Sequence, residues 1–197
     1  MHEFSHLVIG ILMMKNKKKL LETAYEIASI LLTAILAVGI IFTFFFKIST
    51  VSGQSMENTL QNGDNLIISS ITNNIEQGDV VVISQPNGYE KVLIKRVIAV
   101  GGQSVEFDQN TGKTIVDGNI IDEPYVKEEI NYTYSMTHKY YVPQGKIFVM
   151  GDNRNHSADS RDIAVGMIDE DYVMGKVIYE FGDTKLFNSE LKENENG

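Results

Sequence analysis

The chain has 197 residues, 43% of them hydrophobic, which is enough for one folded domain and an appendage. A formal net charge of −9 argues against a nucleic-acid partner, because phosphate recognition needs clustered Lys and Arg. The chain has no cysteine, so thiol catalysis, disulfides and thiolate metal sites are excluded.

The first residues, MHEFSHLVIGILMM, hold an apolar run from Leu7 to Met14 that is far too short to cross a bilayer. A start at Met13 or Met14 would instead open the protein on M-K-N-K-K-K. Next comes IASILLTAILAVGIIFTFFF, Ile27 to Phe46, without a charge. As a helix rising ~1.5 Å per residue it spans ~30 Å, the thickness of a bilayer's hydrocarbon core. A cleavable leader has a shorter apolar region and a small-x-small site. This run ends in three phenylalanines and Lys47, so it reads as a retained anchor. Lys15, Lys17, Lys18 and Lys19 precede it, and after Lys47 no Lys or Arg follows until Lys91. Positive charge stays inside, which predicts a cytoplasmic N-terminus and an extracytoplasmic remainder at the plasma membrane.

Past Ile48 the pattern changes to short runs rich in Val and Ile: NLIIS, DVVVIS, KVLIKRVIAV, SVEF, KTIVDGNIID, KIFVMG and GKVIYEF. Gly, Asn and Asp separate them, as expected of β-strands and turns. Pro86-Asn87-Gly88 and Asp117-Gly118 read as hairpin turns. Strands do not alternate with helices, so a parallel sheet is not expected. The expected organisation is a segment 1–26, an anchor 27–46, a mainly β antiparallel domain 47–186, and a polar, frayed tail 187–197.

No histidine or carboxylate spacing matches a metal site, and Gly101-Gly102 lacks a nucleotide-binding pattern, so no metal or cofactor is expected. The glycine pair reads as a turn between strands. Serine chemistry is the remaining candidate. SGQSMENTL, Ser52 to Leu60, stands just beyond the anchor, and Ser55 as nucleophile would need a base. One option is His156 with Asp152 or Asp159 as a triad. The other is Lys95, which alternation places on the apolar face of Leu93 and Val97, with Arg96 on the opposite face. Burial lowers a lysine's pKa, and a base near neutral pH needs a fall of ~2–3 units from ~10.4. A lone strand lysine is more often an edge residue reaching water. The third stretch, GDNRNHSADSR, Gly151 to Arg161, follows the apolar KIFVM. Its polar groups enter a core edge and must be satisfied, which predicts pairing among Asp152, Arg154, Asp159 and Arg161. Ser157 is then available to orient a neutral lysine.

SGQSM, KRVIAVGGQSV and GDNRNHSADSR, in this order after an N-terminal anchor, resemble the sequence boxes of bacterial type I signal peptidases of the Gram-positive-like kind. The resemblance runs from about Lys15 to Phe181. It implies a β-rich fold of coiled antiparallel sheets and a Ser–Lys dyad, with Ser55 as nucleophile and Lys95 as general base. Ser157 matches the serine that hydrogen-bonds the lysine, and Asp159 and Arg161 match a supporting ion pair. The oxyanion would be held by the Ser55 amide. Gly53 stands where some members place a hydroxyl donor, and Asn58 stands where the family usually has proline. The implied substrate is the signal peptide of a secreted preprotein, still in the lipid bilayer and cut at an A-x-A-like site by a monomeric enzyme. Ser55 lies nine residues after Phe46, a tether of at most ~30 Å, so the nucleophile stays near the membrane surface. Three other readings compete: a signal peptidase with a restricted, pilin-like client set, against which the retained Lys95 stands; a non-catalytic membrane-anchored β ectodomain, against which the retained Ser55 and Lys95 stand; and a soluble self-cleaving repressor-type Ser–Lys peptidase, against which the anchor stands.

Overall fold

The computed structural model describes residues 2–84, 89, 91–131 and 139–183, with side chains from residue 13 onward. The expected Pro86-Asn87-Gly88 turn, His138 and the polar tail lie outside the described residues, as do the side chains of His2 and His6.

The chain divides into two compact units, 1–44 and 45–197. The first is helix α1, His2–Phe45, which starts well before the uncharged run. Its stretch Met13–Phe45 is long and apolar enough to cross a membrane, and none of the most apolar window is buried against protein. A helix hydrophobic all round, with no protein covering it, fits a single-pass membrane anchor. The helix ends at Phe45, and Phe46 opens the first strand rather than closing the span.

The second unit is built of two antiparallel sheets. The larger comprises β1 (Phe46–Thr50), β2 (Asp64–Ser69), β3 (Val80–Ile83), β4 (Leu93–Val100), β9 (Lys146–Met150), β10 (Ile168–Asp169) and β11 (Val173–Asp183). Their order across the sheet is β1-β2-β11-β3-β4-β9-β10. The smaller sheet, in the order β7-β6-β5-β8, uses β5 (Ser104–Phe107), β6 (Thr114–Val116), β7 (Asn119–Ile120) and β8 (Tyr140–Tyr141). The mainly β antiparallel fold expected from the alternating runs is therefore present. Asp117 and Gly118 both adopt positive φ, 50° and 80°, between β6 and β7. That is the geometry of a two-residue hairpin whose twist matches its strands. Gly101-Gly102 forms the turn from β4 to β5, where Gly102 donates to the Val142 carbonyl.

Strand side chains divide the core into layers. On β9, Ile147 and Val149 join a cluster with Val81, Ile83 and Val97, while Phe148 and Met150 face a second cluster with Val105 and Phe107 of the small sheet. Both faces of this strand are thus covered, which explains why the strand is continuously apolar after Lys146, from Ile147 to Met150, rather than alternating. A third cluster, Leu66, Ile68 and Val82, receives Val51, Met56 and Leu60 from the β1–β2 loop. At ~25 cal/mol per Å2 of apolar surface, burying a Met or Leu side chain stabilises by ~1.5–3 kcal/mol, so this loop is held by its own anchors. Bulges interrupt β11 and β4, and such extra residues bend a strand. At Gly175 on β11 a Cβ would stand 2.3 Å from the Ser69 carbonyl oxygen, so only glycine permits that approach.

Candidate active site

The β1–β2 loop carries Ser55. It is closed by Val51 N–H donating to Asp64 O at 2.8 Å and Gly63 N–H to Val51 O at 3.0 Å. Inside it, Leu60 N–H bonds Met56 O at 2.8 Å, and the neighbouring Met56 is buried, so Ser55 stands one residue from a fixed point in the core. Gly53 adopts φ +108°, and its N–H donates to Asn62 Oδ1 at 2.9 Å. The Ser55 N–H has no protein acceptor among the described residues.

Lys95 lies on the central strand β4, opposite Val81 of β3. It is 2% exposed. Its Nζ donates to Ser55 Oγ at 2.7 Å and to the Ile94 carbonyl at 3.0 Å. Burial pushes its pKa from 10.5 down to about 8, against the opposing pull of Asp159 and Asp152, and the Arg161 charge lowers it further. Lys95 and Ser55 therefore meet across 40 residues of sequence. His156 does not join them. It is exposed, its backbone N–H donates to Asn153 O, and Ser55 Oγ is occupied by the lysine.

The stretch after β9 is reached through Gly151. A Cβ there would lie 2.3 Å from Ser55 O and 2.4 Å from Ser157 Oγ, so this glycine lets the serine loop and the last stretch close on the strand end. Asp159 is buried, and Arg161 holds it with Nε at 2.7 Å and Nη2 at 2.8 Å; Gly151 N–H adds a bond at 3.0 Å. Burial pushes the Asp159 carboxyl up, but these partners outweigh it and hold its pKa below the ordinary value. Ser157 differs from the expectation. Its Oγ is buried, makes no well-formed hydrogen bond and does not reach Lys95, whose bonds go to Ser55 and Ile94. It lies near enough to Asp159 to favour that carboxylate's charge.

Pairing within the stretch is also only partial. Asp159 does take Arg161, but Asp152 and Arg154 find partners elsewhere. Arg96 donates to Asp152 with Nε at 2.9 Å and Nη2 at 2.7 Å, and Thr59 Oγ1 donates to the same carboxylate at 2.5 Å. Arg154 forms a two-pronged pair with Glu123 at 2.9 and 2.6 Å and bonds Thr114. Its pKa is raised despite burial because Glu123 supports the charge. Tyr125 donates to Glu123 at 3.0 Å and lies beneath the Arg96 guanidinium, 3.9 Å from the ring centre. Lys127 closes the group through Glu57 at 2.7 Å. Arg96, Glu123, Tyr125 and Thr59 were not singled out as site residues from the sequence. The only signal was Arg96 itself, an arginine on the face opposite Lys95 that needed an acid to be buried.

An antiparallel β unit with a buried lysine donating to a serine hydroxyl, following an apolar helix, fits the hydrolase class, and the comparisons give the family. The family model described as "Signal peptidase, peptidase S26" matches residues 24–181. Signal peptidase IB of Staphylococcus aureus (strain Mu50 / ATCC 700699) is 34% identical over 189 residues, covering 84% of this chain and 91% of the relative. Signal peptidase I T of Bacillus subtilis (strain 168) is 34% identical over 179 residues, covering 85% and 90%. A crystal structure of a signal peptidase I from Enterococcus faecalis V583 superposes with a TM-score of 0.44 at 24% identity, over 53% of this chain and 97% of that one. The chain belongs to the peptidase S26 signal peptidase family and is an enzyme of the signal peptidase I kind, a serine peptidase.

Proposed function

We propose that this protein is a membrane-anchored endopeptidase that removes signal peptides from secreted preproteins, with Ser55 as nucleophile and Lys95 as general base. The observation that carries the reading is the 2.7 Å contact between Lys95 Nζ and Ser55 Oγ, made by a lysine that is almost wholly buried. A lysine with a pKa of about 8 is neutral in a useful fraction of molecules near neutral pH, where an ordinary lysine is not.

The steps follow from these groups. Neutral Lys95 takes the Ser55 Oγ proton as the oxygen bonds the scissile carbonyl carbon. The Ser55 N–H donates to the resulting oxyanion. Lys95 then returns the proton to the leaving amine as the C–N bond breaks, and the signal peptide stays on Ser55 as an ester. Water gives a proton to Lys95, attacks the ester, and restores both residues. Gly53 donates its N–H to Asn62 and has no side chain, so a second oxyanion donor comes from another group. Asp159, paired with Arg161, opposes the loss of charge on Lys95 and so keeps its pKa from falling too far. Ser157 fills the space beside Gly151 and Asp159. The substrate lies as an added strand against the β unit, with small residues at the A-x-A positions. The lysines before the apolar run keep the N-terminus cytoplasmic and the β unit outside.

The test is cleavage of a preprotein in detergent by the wild type and by Ser55→Ala, Lys95→Ala and His156→Ala. The expected result is loss with the first two, by roughly ten-thousand-fold or more, and survival with the third. Activity in Lys95→Ala with loss in His156→Ala would replace the dyad by a triad.

A further inference from the structure

The buried Asn153 is in the same stretch as Asp152 and Arg154, yet it pairs with no charge and plays no part in the steps above. Its backbone N–H donates to the Ser55 carbonyl at 3.0 Å. Its side-chain Nδ2 donates to the Gln54 carbonyl at 3.0 Å, across 99 residues of sequence. Its Oδ1 is buried and has no hydrogen-bond partner. The fold therefore carries a half-satisfied buried amide, and the side chain's one bond goes to the residue before the serine. A buried acceptor left without a partner is a cost that packing alone does not explain.

The geometry of the peptide unit gives this bond a consequence. The Gln54 carbonyl and the Ser55 N–H belong to the same peptide plane. Among the described residues the only cis bond is Glu57–Asn58, so the Gln54–Ser55 unit is trans. In a trans unit the C=O and N–H point in opposite directions. A donor that draws the Gln54 carbonyl toward the protein thus turns the Ser55 N–H away from it. Glu57 N–H also bonds the Gln54 carbonyl at 3.1 Å, which shapes the turn internally. Asn153 does something that turn bond does not: it ties the loop to the end of β9. β9 pairs with β4, where Met150 stands opposite Arg96, the residue after Lys95. The serine loop and the lysine are thereby held to adjacent strands of one sheet.

We infer that Asn153 is a positioning residue, which aims the Ser55 N–H at the oxyanion and fixes Ser55 against Lys95 through its bonds to the Gln54 and Ser55 carbonyls. This rests on the reading of Ser55 as nucleophile. Asn153 touches no reacting atom; it acts through the backbone of residues 54 and 55.

The experiment uses the full chain in detergent with a preprotein substrate, and a peptide aldehyde carrying the residues on the acyl side of the cleavage site. The aldehyde is bound as a hemiacetal: Ser55 Oγ bonds its carbon, and the former carbonyl oxygen takes the oxyanion position. Asn153→Ala and Asn153→Asp both lack the Nδ2 donor, and the aspartate keeps the size and the backbone N–H. Both are expected to lower kcat at least tenfold, within the range for weakening an oxyanion donor. KM should move less than about threefold and aldehyde affinity should fall in step with kcat/KM; the unfolding midpoint falls in both variants, because a buried hydrogen bond is lost, and further in the aspartate, whose carboxylate has no donor there, so kinetics are read on the folded fraction at a temperature well below either midpoint. The inference is overturned if Asn153→Asp keeps wild-type kcat. It is also overturned if aldehyde affinity holds while KM and the unfolding midpoint change, which is the pattern of a merely structural residue. Ser55→Ala, run alongside, separates the two readings. Cleavage by that variant removes the serine mechanism itself, whereas an inactive Ser55→Ala beside a fully active Asn153→Asp removes only the positioning role.

Discussion

At the scale of one residue, Lys95 shows how a fold loosens the proton of a group that is ordinarily an acid's partner. Burial removes water from the ammonium, and Asp159 and Asp152 return only part of that stabilisation. The folded pKa of about 8 lies below the unfolded value, so the unfolded chain binds more protons between about pH 8 and 10.5. Stability at this position is therefore gained as pH rises through that window and is withheld below it, by on the order of 3 kcal/mol at neutral pH. On the proposed mechanism activity follows the same proton with a simpler sign, because the neutral amine would be the working form. Measured as kcat/KM on a peptide substrate, activity should rise about tenfold per pH unit below pH 8 and level off above it. A profile flat from pH 6 to 9 would remove Lys95 as the base.

At the scale of elements, the loop after β9 tunes that lysine. Asp159 faces Lys95 while bound by Arg161 and by the Gly151 N–H. In Asp159→Asn, the opposing negative charge is lost and the Arg161 charge remains, so the lysine's pKa falls further. The rising limb of the pH profile should then move to lower pH, even as the unpaired buried arginine costs about 3–5 kcal/mol of stability. A limb that stays in place or moves up would contradict the electrostatic account. Much of this scale was legible in the sequence. DVVVIS and KVLIKRVIAV are runs rich in Val and Ile, and they form the paired strands β3 and β4; Lys95 lies on the Leu93 and Val97 side as the two-residue period of a strand requires. Asp117-Gly118 is a local signal and makes a local turn. What was not legible is which charge finds which. Arg96 and Asp152 stand 56 residues apart, and Arg154 and Glu123 stand 31 apart. Such pairs leave no periodic trace: Arg154 has acids within its own stretch and takes none of them, and Arg96 has none in its strand, so nothing local names its partner. The early start of α1 was missed for a related reason. Its lysine-rich turns are exposed and polar, with a Lys18–Glu22 ion pair one turn apart, and an apolar pattern is silent about them.

At the scale of the molecule, the two units have separate sources of stability. The helix is held by its own backbone bonds, whereas the β unit has three apolar clusters of its own, drawn wholly from residues after Phe46. The Ser70 N–H donates to the Phe45 carbonyl, so the β unit begins at that residue. A chain starting at Phe45 should unfold in one cooperative transition, with a midpoint within a few degrees of the longer chain. Circular dichroism on heating would show this, and a broad, non-cooperative melt would mean that the helix is needed for folding. The burial of Lys95 also makes the protein chemically uneven. The lysine's pKa of about 8, against 10.5 ordinarily, leaves its lone pair available to an electrophile over a wider range of pH. Yet at 2% exposure it is closed to a bulky acylating reagent. A molecule as small as cyanic acid, which adds across an amine N–H to leave a urea, is expected to label Lys95 where a bulky reagent does not, and peptide mass spectrometry after brief treatment checks it. Modification of Lys95 is therefore sorted by reagent dimensions before it is sorted by reactivity.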